Sequence, residues 1–174
     1  MSAILDQTPT NKNFLSPLNF KFTIKKAPHV NFFIQKVNVP SITLMPPNFP
    51  TPFVNVPIPG EHIDYSELQI TFKVDEDLQN YLEIHNWIKS LGKPDNFEQY
   101  KEIQDKKSWT GDGIYSDISV MILSSTKSAN YEVVYTDAHP VSLSGLTFNT
   151  VDEDVNYIEA TASFKYTLYN IDKI

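Results

Sequence analysis

DYSELQITFKVDEDLQNYLEIHNWIKSLG, residues 64 to 92, changes its hydrophobic period halfway along. Leu68, Ile70, Phe72 and Val74 alternate with polar residues, the spacing of a half-buried strand. After Asp75-Glu76-Asp77 the apolar positions recur at helical intervals: Leu78, Tyr81, Leu82, His85, Ile88 and Leu91, with Ile84 and Trp87 widening the face. Gly92 and Pro94 end the pattern. Asp75 or Asp77 is expected to cap the free N–H groups of this helix, and the neighbouring carboxylates to complement its positive dipole end.

The acidic tetrapeptide recurs at residues 151 to 154, which raises the question of a repeated device. There the continuation is different: Ile158, Ala160, Ala162, Phe164, Tyr166 and Leu168 lie on one phase of a long strand. The first acidic run therefore reads as a helix start, the second as a solvated connection between strands. Before that connection, Val141, Leu143, Leu146 and Phe148 suggest a strand interrupted by a bulge near Ser144-Gly145.

Further strands follow from the same alternation at Leu18 to Ile24, at Ile118, Val120 and Ile122, and at Tyr131, Val133 and Tyr135. Val30 to Val39 is apolar on both phases, as expected of a strand with both faces covered. Residues 40–60 hold seven of the twelve prolines and are expected to form an extended loop or edge hairpin, closed by a type II turn at Pro59-Gly60. Residues 93–116 form a long polar connection, in which FEQYKEI has the pattern of a short helix. The sum is about seven strands and one helix: a mainly β (α+β) chain, an antiparallel barrel or sandwich with one flanking helix. Residues 1–13 read as a flexible N-terminal arm and residues 14–174 as one domain.

Composition narrows the function. The chain has 174 residues, 41% of them hydrophobic, enough for a single core that buries roughly 70% of the unfolded surface. It has no Cys, so disulfides, thiolate metal sites and a Cys nucleophile are excluded. Its formal charge is −7, and all 14 basic residues are Lys. Without the guanidinium fork, and with an acidic surface, a grip on nucleic acid is disfavoured. No apolar run has the length of a membrane span, so no membrane insertion is expected, and the N-terminus lacks a signal-peptide pattern.

Chemistry-bearing motifs are sparse. The four His are scattered without metal-ligand spacing, and neither acidic run has the glycine and distant glutamate of a calcium loop, so no metal and no cofactor is expected. Asp137, His139 and Ser142 or Ser144 supply the residue types of a hydrolytic triad but no nucleophile elbow, so no catalytic residue is assigned and the chain is not expected to be an enzyme. Trp109, in the polar connection, has the character of a partner anchor.

Several blocks in order, SPLNFKFTI, NFFIQKVNVPSITL, PFVNVPIPG, the unit quoted above, and HPVSLSGLTFNTVDEDVNYIEATASFKYTLY, resemble the tail tube protein family of contractile-tailed bacteriophages of the T4-like type. The likeness runs from about residue 14 to 170, and residues 93–116 have no counterpart in it. It implies a β-barrel subunit that forms homohexameric rings stacked into the inner tube of a phage tail. The implied place is the virion tail, after assembly in the host cytoplasm. The implied partners are further copies of itself, the tail sheath protein, the baseplate hub or tube initiator, and the tape measure protein in the lumen, through which DNA passes without specific binding. On this reading segments 40–60 and 93–116 carry subunit contacts, anchored by Phe49, Phe53 and Trp109. The alternatives are a tube-initiator or baseplate-hub ring of the same fold, the ring protein of a type VI secretion system, and a small-molecule- or glycan-binding β-sandwich with Tyr115, Tyr131 and Tyr135 as stacking aromatics.

Overall fold

The structure, a computed structural model, describes residues 13–92, 98, 101, 113–150 and 157–174. The N-terminal arm, most of the 93–116 connection and the second acidic run lie outside the described residues.

Strand β1 (Phe20–Ile24) directs Phe22 and Ile24 into the core, as its alternation requires. The chain then departs from the expected strand at Val30. The Asn31 side chain accepts the Ile24 N–H at 2.9 Å and donates to the Ile24 carbonyl at 3.2 Å, which locks a reversal. With Val30 buried as its anchor, Val30–Phe33 is a single helical turn, α1. Only then does β2 begin, Ile34–Asn38, and it is not covered on both faces: Gln35, Lys36 and Asn38 are exposed, Ile34 and Val37 are half-buried, and among the described residues β2 pairs with β7 alone.

The remaining elements are β3 (Ile42–Leu44), β4 (Asn48–Pro50), β5 (Asn55–Pro57), β6 (Ile63–Tyr65), β7 (Leu68–Lys73), α2 (Gln79–Gly92), β8 (Ser116–Leu123), β9 (Ala129–Leu143), β10 (Glu159–Lys165) and β11 (Leu168–Lys173). Seven strands form one antiparallel sheet in the order β1-β8-β9-β10-β7-β2, with β11 also on β9. It folds into two layers that share β9. Residues 131–136 of β9 pair with β11, and residues 139–143 pair with β10.

The two strands expected over 131–135 and 141–148 are thus one long bent strand. Asp137 sits at the bend with φ 55°, a conformation that Asp tolerates better than most residues. The bulge is displaced from Ser144-Gly145 to Val141, which is left over between the pairs Ser163–Ser142 and Phe164–Pro140. Pro140 has no N–H to contribute, so the ladder breaks there at little cost. Ser144 prolongs the pairing instead: its N–H donates to Thr161 O at 2.8 Å and its hydroxyl accepts the Thr161 N–H at 2.9 Å. The expected single strand over 158–168 breaks opposite the same bend, where the Thr167 N–H donates to Thr136 O.

Between the layers lie Phe22, Ile24, Ile118, Val120, Val133 and Tyr135 from one side and Leu68, Ile70, Phe72, Ala160, Ala162 and Phe164 from the other. Helix α2 closes the core with Ile84 and Trp87, whose ring centroid is 6.1 Å from that of Phe164. The buried stripe is centred on Asn80, Ile84 and Trp87, so Leu78, Leu82 and His85 lie outside it. Asn80 is the reason. Fully buried, it accepts the Asp75 N–H at 3.2 Å and donates to Lys73 O at 2.8 Å, joining the end of β7 to the first helical turn. Asp75 enters through its backbone, and neither Asp75 nor Asp77 makes a side-chain hydrogen bond to a described residue.

Candidate assembly surfaces

The proline-rich segment is a continuation of the β2–β7 hairpin. Asn38 faces Gln69, Ile42 faces Tyr65 and Leu44 faces Ile63, each step along one strand matched by one step along the other. Beyond Leu44 the register shifts by two. Asn48 faces Pro57, Pro50 faces Asn55, and residues 59–62 take up the slack opposite Met45 and Pro46. Pro59-Gly60 is not the type II turn its letters suggest, because Gly60 does not have a positive φ. It is required for close approach: a Cβ there would lie 1.9 Å from the Met45 carbonyl oxygen. The tip is tied by Thr51, whose N–H donates to Val54 O and whose hydroxyl accepts the Val54 N–H, both at 3.1 Å.

From Ser41 to Pro50 this extension reaches about 30 Å at about 3.3 Å per residue. None of residues 41–60 is buried, and none is charged. Phe49 is 59% exposed and Phe53, at the tip, 98% exposed. The two predicted anchors therefore stand on one projecting element. Trp109 lies outside the described residues.

The root of the extension is tied to the body by hydrogen bonds and ring contacts. Tyr166 donates to Ser66 O at 2.9 Å, Tyr169 donates to Pro40 O at 3.4 Å, and the Ser41 and Ser66 hydroxyls are 2.7 Å apart. The Tyr65 ring packs edgewise on Tyr169 and tilted on Tyr166, and both of these rest on Tyr135 beneath. Burial, with the neighbouring Tyr169 and Tyr65 phenols, pushes Tyr166 up to about 12, so it stays a neutral donor. Burial likewise raises Tyr135, whose hydroxyl has no partner among the described residues. Tyr115, Tyr131 and Tyr135 do not form one exposed stacking platform: Tyr135 is inside the core, and the Tyr115 and His139 rings meet in a T-shaped contact.

At the opposite end of the same strands is an apolar cleft of about 500 Å³, lined by Phe33, Val74, Leu78, Phe148, Tyr157 and Ile158. Lys73, Asp75 and Glu76 border it, and the Lys73 ammonium stands 4.5 Å from the Tyr157 ring centre. Sequence reasoning missed this cleft because its walls come from four separate segments. The available signal was an aromatic on each side of the second acidic run, Phe148 and Tyr157, both more than 70% exposed.

A third feature holds the far side of the 93–116 connection. The Lys26 ammonium donates to Gly113 O and lies 5.0 Å from the Trp87 ring centre, while Trp87 Nε1 donates to Ile114 O at 3.1 Å. Burial lowers Lys26 to about 8. Nearby, His29 Nδ1 and Glu83 Oε1 are 2.5 Å apart; this hydrogen bond, then the carboxylate charge, raises the His29 pKa. Asp137, His139, Ser142 and Ser144 are not hydrogen-bonded to one another: Ser144 serves the ladder to Thr161, and Asp137 accepts from Thr167 at 3.5 Å. No described helix is long and apolar enough to cross a membrane.

Compared with known proteins, the sequence matches no family model and no curated protein. The fold does have relatives. A chain of the anti-feeding prophage tube-terminating cap superposes with a TM-score of 0.61 at 10% identity, over 99% of both chains. A chain of the sheath–tube complex of the extracellular contractile injection system PVC gives 0.58 at 11% identity, over 97% of this chain and 100% of that one. Hcp1 from Flavobacterium johnsoniae gives 0.50 at 11% identity, over 92% and 98%. The described residues thus have the tube-like fold seen in structures of contractile injection systems.

Proposed function

We propose that this chain is a structural subunit of the inner tube of a contractile tail or injection machine, whose copies form hexameric rings that stack around a channel. The observation that carries the proposal is the extension of residues 41–60, hydrogen-bonded at its root and unburied and uncharged throughout in a protein with 20% charged residues. A contiguous apolar surface of this kind marks a contact surface. Among the described residues, strands β1, β2 and β11 each pair on one side only, so neighbouring subunits have sheet edges to cover. In a six-membered ring the formal charge is six times −7, or −42, all without Arg, which lets a polyanion or acidic cargo pass without adhering.

The finer assignment is the virion tail of a T4-like phage, with the sheath outside, a tape measure protein inside, a baseplate hub or initiator below, and DNA as cargo. The chain carries no catalytic role in this reading. A second reading, a single ring at one end of the tube, is favoured by the likeness to a chain of a tube-terminating cap. Electron microscopy of the purified protein at rising concentration, with mass from light scattering, tests both. Stacked rings with an open channel support the tube subunit, and single rings at every concentration the end component. A monomer throughout refutes both.

A further inference from the structure

The extension and the apolar cleft lie at opposite ends of the same pair of strands. The extension grows from the end where β2 finishes at Asn38 and β7 begins at Leu68, whereas the cleft is built where β2 begins, beside Phe33, and β7 finishes, at Lys73–Val74. β7 alone separates them by about 17 Å, and the matched register carries the extension outward, away from the cleft of its own chain. One end offers an uncharged apolar projection, and the other an apolar recess of about 500 Å³, the size that holds a few side chains but no folded element.

Two unlike complementary surfaces on one chain make a head-to-tail contact, and when their direction is along a single axis the contact repeats instead of closing on itself. We infer that the cleft is the receptor for the tip of the extension, with Phe53 of one copy seated among Val74, Leu78, Phe148 and Tyr157 of the next copy along the strand axis. This deepens the tube reading and rests on it: the occupant is a second copy of this chain, and the contact gives the stack its polarity. The cleft also suits this occupant in charge. Lys73 is already engaged by the Tyr157 ring, and an uncharged tip leaves the bordering carboxylates in water.

Because the chain has no Cys, disulfide trapping reports the contact without background. Phe53→Cys and Tyr157→Cys change residues that are 98% and 73% exposed, so neither touches the core. Mixed and mildly oxidised under assembly conditions, the two single variants are expected to give a disulfide-linked pair that neither gives alone, and a chain carrying both changes is expected to give a ladder of multimers. Phe53→Asp is expected to raise the concentration for half-assembly roughly tenfold or more, the scale of one lost buried aromatic. Phe148→Asp should do the same, and the two together should cost less than the product of their separate effects, because they share one contact.

Rings or tubes under the microscope with no disulfide between the Phe53→Cys and Tyr157→Cys variants, or with Phe53→Cys pairing only with itself, would overturn the inference and leave the tube reading standing. A protein that stays monomeric at every concentration would overturn both.

Discussion

The strand-to-helix junction depends on a single buried amide, and its replacement has a calculable cost. Asn80→Ala removes the acceptor of the Asp75 N–H and the donor to Lys73 O, leaving two partly buried backbone groups without partners. Each stranded group costs about 1–3 kcal/mol, and the better helix propensity of Ala returns about 0.5 kcal/mol. A net loss of about 1.5–5.5 kcal/mol is expected. In a chain of 174 residues this lowers the melting temperature by roughly 3–20 °C. Urea unfolding at concentrations where light scattering gives a monomer is the assay, with the midpoint falling and the slope unchanged. Asp77→Ala is the comparison: a side chain with no described hydrogen bond is expected to cost less than about 0.5 kcal/mol. If Asn80→Ala cost under about 0.5 kcal/mol while Asp77→Ala cost more than about 1, the junction would be held by an acidic cap, and the account of Asn80 would be wrong.

Three other outcomes follow from the same geometry. Gly60→Ala drives a methyl into the Met45 carbonyl at 1.9 Å, so the extension is expected to become the first site of protease cleavage while the melting temperature of the body moves by no more than about 2 °C. Lys26, lowered to about 8 against 10.5 when unfolded, binds fewer protons folded than unfolded between those values; stability is therefore expected to rise with pH across that window, and the rise to vanish in Lys26→Met. His29 has the opposite sign: its raised pKa makes the Glu83 contact stabilising below about pH 6.5 and lost as pH climbs through the folded value, which titration of the ring resonances checks, Glu83→Gln returning the midpoint toward 6.5.

Period-2 alternation is enough to place β7, β8 and the buried face of β1, because each of these strands has one dry and one wet face. It fails at Val30, where an apolar pair reads equally as strand or helical turn and the decision rests on the Asn31 amide reaching back to Ile24. It places the helix but not its buried stripe, since hydropathy gives no reason to turn Asn80 inward. It splits β9 because a bend at Asp137 and a bulge beside Pro140 look like two strand ends, although the chain passes through both without leaving the sheet. Phe49 and Phe53 are legible as exposed aromatics from apolar residues set among prolines, and their role as contact anchors is part of the proposal. The cleft is not, because Phe33, Lys73–Leu78, Phe148 and Tyr157 become neighbours only after the hairpin and the two layers have formed.

The prolines themselves explain how such an extension is tolerated. A two-stranded ribbon leaves half of its N–H and C=O groups facing outward, and an apolar ribbon with free edges is a template for strand-on-strand aggregation. Six prolines lie between Pro46 and Pro59, two of them, Pro50 and Pro57, within the ribbon strands. Pro50 and Pro57, at the outward-facing positions, each remove an edge donor without removing apolar surface. Pro47 instead faces the ribbon's own ladder, where its carbonyl accepts the Ile58 N–H. With N–H groups missing at six of fourteen residues, no continuous row remains for another chain to pair with. Recognition of this segment must then run through side-chain shape, since the backbone offers no ladder. The same economy accounts for the missing charge. Lysines on the edge would also have blocked aggregation, but they would have to be desolvated in any apolar recess, whereas proline blocks the edge and still packs. An extension built this way favours insertion into an apolar cavity over pairing with another strand, which is what the proposed tube subunit would need in order to join further copies in one direction.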